Sequence, residues 1–384
     1  MRIAIDGRTI VHGRSGVGTY AHRIVRGLLQ RDQRNEYFLF LSAPWPDLEA
    51  ANLRKFVIER SDRMIRNRWW ENVRLPQYLT RHEIDVYFSP AYALPVRPRF
   101  TRRRPTRFVV TIHDVITDIL PETFTLRMRL WQALFNRNAV ALADRIIVDS
   151  ESTKRDLIRL YGPTPQPVCV VPLSVGDEYA REVNPATLQR VRERYSLPPS
   201  FVLYVGTIEP RKNVTGLARA YRRLPEELQR RFPLVICGAI GWHAEPILSE
   251  LKALNVFDSI RLVGFAAHED LPALYSLASV FVYPSLYEGF GYPPLEAMAC
   301  GVPVITSNTS SLPEVVGDAG IMLDPRDDAA LAVSIQRVLE DRELQSTLGR
   351  KGLEQATRFR WQATADQTLA ILESAGREES ATDR

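Results

Sequence analysis

Apolar residues along this chain fall into two alternating patterns: short β-branched runs, and stretches with apolar positions three or four apart. In the first half, runs at 2–6, 36–42, 55–59, 86–90, 108–114, 145–150 and 168–173 read as strands. Helical patterns lie between them. One follows Gly18, with Tyr20, Ile24 and Leu28 at fourfold spacing on one face. Another covers about 126–143, and a third, 150–162, opens on a capping Ser/Thr and ends at Gly162.

After a helical segment at 184–200, closed by two prolines, the pattern restarts. Strands are predicted at 201–207, 234–238, 260–265, 280–285, 303–307 and 320–324, with helices at about 213–224, 243–254, 269–278, 293–300 and 328–340. Strands alternating with helices predict parallel α/β architecture, here twice, with the boundary near 175–198. A helical tail at 359–374, with apolar Trp361, Leu369 and Leu372, leads into no further strand and is expected to pack on an existing surface. The final ten residues are polar and expected to fray.

A length of 384 residues suits two domains rather than one core. No apolar run approaches the ~20 residues of a membrane span, and the first residues lack the features of a signal peptide. Three cysteines with no metal spacing fit a reducing compartment, so a cytoplasmic location is expected. The net charge of +5 is carried almost wholly by arginine, since only five lysines occur. That skew fits base composition better than nucleic-acid binding, and no nucleic-acid partner is expected. Two arginine clusters stand out, 60–70 and 97–107. The first mixes Arg with Trp69 and Trp70, which suits an anionic membrane surface; a solvated loop is the competing reading.

The densest chemistry lies in "YEGFGYPPLEAMACG", 287–301. Gly289 and Gly291 let backbone amides approach a ligand, Pro293 and Pro294 suit the first turn of a helix, and Gly301 is placed to end it. Glu296 then lies just inside the helix, with Glu288 in the loop before its positive end. Free amides there bind anions, while two carboxylates accept hydrogen bonds from hydroxyls. A sugar and a ribose joined by a diphosphate satisfy both demands. The plain alternative is that both glutamates only stabilise the helix dipole.

Three other stretches begin at predicted strand ends, where doubly wound sheets bind ligands. Arg211 and Lys212 precede a helix and suit a diphosphate. Gly16-Val17-Gly18 forms a loop expected to approach phosphate oxygens. It does not make a nicotinamide fingerprint, because Ala21 stands where a third glycine belongs. His113-Asp114 ends an apolar strand; the histidine suits a sugar hydroxyl and the aspartate an incoming acceptor alcohol. No Asp-x-Asp pair at a strand end offers a divalent cation a seat over the diphosphate, so neither metal nor other cofactor is expected.

Taken together, "EGFGYPPLE" (288–296), "EPRKN" (209–213), "SGVGTY" (15–20), "IHD" (112–114) and "VDSESTKRDL" (148–157) resemble the family-four retaining glycosyltransferases of the GT-B fold. The resemblance implies two Rossmann-like doubly wound domains facing a cleft. These would be an acceptor-side domain at 1–180, to which a C-terminal helix within 361–384 returns, and a nucleotide-sugar-binding domain at 195–360. It implies Glu288, Arg211, Lys212 and His113 as catalytic residues. Donor binding would fall to Gly16, Val17, Gly18, Gly264, Phe265, Phe290, Gly291, Tyr292, Leu295 and Glu296, with Asp114 on the acceptor side. Thr207 departs from several relatives, which carry a basic residue there. The implied activity is transfer of a hexosyl group, GDP-mannose leading over UDP-linked donors, to a saccharide or lipid-linked saccharide. A nucleotide-sugar epimerase and a non-catalytic sugar-binding protein are the alternatives.

Overall fold

The structure is a computed structural model and describes residues 1–10, 16–58, 70–91, 94–95, 106–182, 184–254 and 260–377. The arginine clusters at 60–70 and 97–107 lie almost wholly outside the described residues. The chain divides into two compact units. The first comprises Met1–Ile119, Leu126–Leu173 and Trp361–Arg384; the second comprises Leu120–Thr125 and Ser174–Arg360.

The first unit holds a seven-stranded parallel sheet, β1 (Arg2–Asp6), β2 (Glu36–Leu41), β3 (Leu53–Val57), β4 (Val86–Ser89), β5 (Arg107–Ile112), β6 (Arg145–Val148) and β7 (Val168–Val170), in the order β3-β2-β1-β4-β5-β6-β7. Its central strands are buried on both faces, which explains why they read as continuous apolar runs rather than alternations. Ile3 pairs with Tyr37 on one side and Val86 on the other. The winding therefore reverses between β1 and β4, and loops leaving those two strands diverge.

The helix Gly16–Arg31 buries Tyr20, Ile24 and Leu28 as their spacing predicts. It starts earlier than expected, however, so Gly16-Val17-Gly18 form its first turn and not a loop before it. Gly18 stands three and seven positions ahead of buried Ala21 and Val25, on the packed face. Burial of that face outweighs glycine's helix penalty of about 1 kcal/mol. The C-terminal helix, Trp361–Arg377, packs on this helix and belongs to the same unit. Its buried face is Thr364, Ala365, Thr368 and Leu372, while Trp361 and Leu369 are only half-buried. Small residues are needed because the two helices approach closely: a Cβ on Gly27 would come within 2.8 Å of Ala365. Arg31 and Asp366 close the contact with an ion pair of 2.7 Å.

The second unit holds six parallel strands, β8 (Val202–Val205), β9 (Leu234–Cys237), β10 (Ile260–Gly264), β11 (Val280–Tyr283), β12 (Val304–Ser307) and β13 (Gly320–Leu323), ordered β10-β9-β8-β11-β12-β13. The reversal here falls between β8 and β11. The unit begins at Ser174, at the edge of the region expected to be a boundary. Much of that region is not a linker: the helix Pro185–Arg194 is held to this unit by Arg190 and Arg194, each 2.8 Å from the fully buried carboxylate of Asp270. Residues Leu120–Thr125 also belong here, because Trp242 Nε1 donates to the Thr123 carbonyl at 2.7 Å and its ring stacks on Phe124. The helix Arg342–Ala356 was not expected from the sequence. Its packed face is Leu348, Gly349, Gly352 and Gln355, which lacks a periodic apolar signal.

Candidate active site

The richest cluster of charges lies in the second unit, on the carboxyl edge of the sheet where β8 and β11 part. The loop after β8 tightens into a 3-10 turn, Pro210–Lys212, and Asn213 follows in the left-handed region at φ 54°. The loop after β11 is bound to it. Leu286 N–H donates to the Arg211 carbonyl at 2.9 Å, and Arg211 Nη1 donates to the Tyr287 carbonyl at 3.0 Å. Two segments more than 70 positions apart thus form one surface.

Glu288 sits at the centre and is buried. Its Oε1 accepts from Lys212 Nζ at 2.7 Å, Ser285 Oγ at 2.6 Å and Tyr283 OH at 2.9 Å, and its Oε2 lies 2.8 Å from Arg211 Nη1. Arg211 also pairs with Glu209 at 2.6 Å, and the Lys212 ammonium lies over the Tyr283 ring, 5.1 Å from its centroid. Two cations and two carboxylates balance in a desolvated space. Burial alone would raise Glu288, but Arg211 and Lys212 outweigh it and hold the carboxyl at about 2. Lys212 is pushed down by burial and by Arg211, and burial raises Glu209.

The sequence assigns phosphate to the cations and sugar hydroxyls to Glu288; in the structure Glu288 is also bound to both cations. A carboxylate has about four acceptor positions, two on each oxygen; three donors crowd Oε1, while Arg211 takes one position on Oε2. As placed, Glu288 orients Arg211 and Lys212 and keeps an acceptor position on Oε2.

The segment beyond Glu288 follows the expected course. Gly291, at φ 115°, turns the chain into the helix Tyr292–Ala299, whose N-terminus has no side-chain cap. Gly301, at φ 72°, ends it: its N–H donates to the Met298 carbonyl and that of Val302 to Ala297, a Schellman closure. Glu296 is half-buried on this helix and accepts from Tyr275 OH at 2.8 Å. Phe290 packs against Tyr292 and Phe359. Leu295 is wholly buried, so its side chain is packing. Gly264, at φ 75°, ends β10, and the next residue, Phe265, is 59% exposed on the same sheet edge.

In the first unit, His113 ends β5 and is buried. Its Nδ1 lies 2.7 Å from Asp149 Oδ2 and its Nε2 lies 2.9 Å from the Pro90 carbonyl. The Pro90 carbonyl can only accept, so Nε2 donates to it, and Nδ1 donates to Asp149 when that carboxyl, itself raised by burial, is ionised. Burial would push His113 down, but the Asp149 carboxylate raises it above the usual histidine value. Tyr20, from the helix begun by Gly16-Val17-Gly18, meets the imidazole edge-on at 4.9 Å. Asp114 Oδ1 accepts from the Ile116 N–H at 3.2 Å, and its charge also acts on His113 and Asp149. At the β1–β4 reversal, Arg8 is held by both Asp6 oxygens and by Glu71 at 3.0 Å, under the Trp70 ring.

Several supporting residues carried no signal in the sequence. Tyr283 and Ser285 read only as the end of a strand run. Ser310 and Ser311, after β12, shape the glutamate loop: Ser310 Oγ accepts from the Glu288 N–H at 2.9 Å, and Ser311 Oγ lies 2.9 and 2.7 Å from the carbonyls of Glu288 and Phe290. Asp149 lay within a quoted motif but had no assigned role.

The family described as Glycosyltransferase Family 4 matches residues 14–179, and Glycosyl transferases group 1 matches 188–355. The O-antigen chain mannosyltransferase B of Escherichia coli is 32% identical over 383 residues, covering 96% of this chain and 98% of that one. Among solved structures, the sucrose-phosphate synthase of Thermosynechococcus elongatus superposes with a TM-score of 0.77 at 22% identity, over 97% of this chain and 98% of the other. Anabaena HepE, in complex with UDP-glucose, does so at 0.75 and 18%, over 97% and 100%. Two parallel-sheet α/β units, the matched families and the near full-length mannosyltransferase relative lead to one conclusion: this chain belongs to the group 1 glycosyltransferases and has the GT-B fold.

Proposed function

We propose that this glycosyltransferase moves a mannosyl group from GDP-mannose, with retention at the anomeric carbon and without a divalent metal, to a saccharide or lipid-linked saccharide acceptor. The observation that carries the proposal is the Arg211–Lys212–Glu288 cluster beside the uncapped helix Tyr292–Ala299. Mannose is favoured by the similarity to an O-antigen chain mannosyltransferase. UDP-glucose is the donor to exclude, because a structural neighbour holds it.

Breaking a glycosyl–phosphate bond leaves a nucleoside diphosphate, and stabilising its charge is the main catalytic task. Arg211 and Lys212 supply two cations where Glu288 and Glu209 hold them in place, and amides of the following helix supply aligned dipoles. One well-placed donor of this kind contributes ~3 kcal/mol. Glu288 keeps both cations oriented, and the second acceptor position on its Oε2 takes a sugar hydroxyl. Glu296, oriented by Tyr275, is placed for the ribose, and Phe265 for the base. No side chain is assigned as a covalent nucleophile. The acceptor attacks from the face the diphosphate leaves, and the departing phosphate takes its proton.

A thermal-shift screen against GDP, UDP and their sugars tests the donor. Stabilisation by GDP-mannose over UDP-glucose is expected, and the reverse order would remove the mannose assignment. Carbon–hydrogen coupling at the new anomeric centre reads retention. EDTA is expected to leave the rate unchanged. Incubation with donor alone should give no epimerised nucleotide sugar. No helix among the described residues is long and apolar enough to cross a membrane. Access to a lipid-linked acceptor then falls to peripheral docking on an anionic membrane, for which the cytoplasmic side is the proposed location.

A further inference from the structure

The helix Leu126–Leu142 of the first unit is apolar on two sides, of which one is buried and the other exposed among the described residues. Asn136, Ala139 and Leu142 are buried, with Ala139 and Leu142 in the core beneath the sheet. On the opposite side Leu126, Leu130 and Leu134 are 65%, 64% and 53% exposed. Fourfold spacing sets successive leucines about 40° apart around the axis, so the three make one stripe about 12 Å long. An isolated exposed leucine needs no explanation, but three in a row on one helix do.

The charge around the stripe is one-sided. Arg127 and Arg129 flank it, Arg137 continues its line, and all three are exposed. None of them forms an ion pair among the described residues, and the helix contains no Asp or Glu. Trp131, half-buried, borders the stripe, and its ring meets that of Phe135, 6.2 Å away. Leucines between arginines, edged by an aromatic, match a bilayer surface: the apolar stripe enters the acyl boundary while the guanidinium groups meet lipid phosphates. A second copy of this chain fits less well, because it would bring the same three cations against themselves.

We infer that the helix Leu126–Leu142 is a docking element for an anionic phospholipid bilayer, through Leu126, Leu130, Leu134 and the three arginines beside them. The biological sense of this rests on the proposed lipid-linked acceptor, but the binding itself does not require it. The inference also separates docking from the arginine clusters at 60–70 and 97–107, to which the sequence pointed first.

Full-length protein is floated with phosphatidylcholine vesicles containing or lacking phosphatidylglycerol. Three forms are compared: the natural chain, Leu126→Gln/Leu130→Gln/Leu134→Gln, and Arg127→Gln/Arg129→Gln/Arg137→Gln. The natural chain is expected to float with anionic vesicles only, and less as salt is raised. The arginine variant should lose on the order of a hundredfold in affinity, at about fivefold per arginine, and the leucine variant should lose flotation at every salt concentration. Melting temperature and transfer to a soluble saccharide should be unchanged in both, which shows that the fold and the active site are intact. Flotation by either variant equal to that of the natural chain would overturn the assignment, as would no flotation of the natural chain. A natural dimer that the leucine variant converts to monomer would make the stripe a self-association face instead. Failure of mannosyl transfer in all three forms would count against the proposed donor and leave the docking result standing.

Discussion

The Lys212 ammonium lies 2.7 Å from Oε1 of Glu288, across 76 positions of chain. The contact is buried and shared with Tyr283 and Ser285, and Arg211 closes it from the other carboxylate oxygen. The cation is therefore already paired and oriented by the fold. If it meets phosphate as proposed, its position costs no reorganisation at the moment of reaction, which is where electrostatic catalysis gains most.

Lys212→Met should lower the transfer rate about a hundredfold to a thousandfold, the loss typical of one catalytic donor. It should also destabilise the protein by about 3 kcal/mol, because Glu288 would keep only one cation in a desolvated site. Initial rates and urea midpoints measured together separate the two effects. A folded variant with the natural rate would remove Lys212 from the mechanism.

The Glu288 carboxyl is held at about 2 against an ordinary 4.5. Its folded form binds protons less readily than its unfolded form, so its ionisation favours folding. That stability is present above about pH 4.5 and is lost as pH falls from there through about 2, up to ~3 kcal/mol in all. Glu288→Gln should flatten the acid limb of the stability curve in that window. Identical limbs for the two proteins would contradict the ion pair.

The ring nitrogens of His113 lie 2.7 Å from Asp149 and 2.9 Å from the Pro90 carbonyl. A raised value means that its contribution to stability is complete below the ordinary value of 6.5 and fades as pH climbs through the folded value. Nitrogen-edited spectra should show His113 still protonated on both nitrogens when exposed histidines have already titrated. Asp149→Asn should bring its titration down, and an unchanged titration would mean that Asp149 does not hold the charge.

Ser311→Ala removes the hydroxyl between the carbonyls of Glu288 and Phe290. A loss of about 1–2 kcal/mol in stability is expected for the buried contact. The rate should fall with little change in donor affinity, since the loop that presents Glu288 would loosen while the binding groups remain. A variant whose rate is unchanged would show the loop to be held by its other contacts.

Much of the architecture was legible because its signals are local. Every expected strand appears, within a few residues at each end, since a β-branched run between turn residues has few other options. Helices with a clean fourfold stripe, such as Gly16–Arg31, were equally plain. Arg342–Ala356 was not, because its packed face uses two glycines against neighbouring backbone, and close approach leaves no periodicity to count. The C-terminal helix was legible only in part: of its visible apolar residues Leu372 is buried, but Trp361 and Leu369 are half-buried and Ala365 makes the contact with Gly27.

At the candidate site, the residue types were readable and the partnerships were not. Glycines, prolines and two glutamates in "EGFGYPPLE" imply a turn, a helix start and acidic groups near an anion, because each follows from backbone conformation and spacing. That Glu288 would spend its acceptors on Lys212, Arg211, Tyr283 and Ser285 could not be read. Strand order decides that, by setting β8 beside β11 and so bringing two loops into contact whose sequences contain no reference to one another. Local chemistry is written in neighbouring residues; burial and ion pairing are made between strands that meet only when the sheet closes.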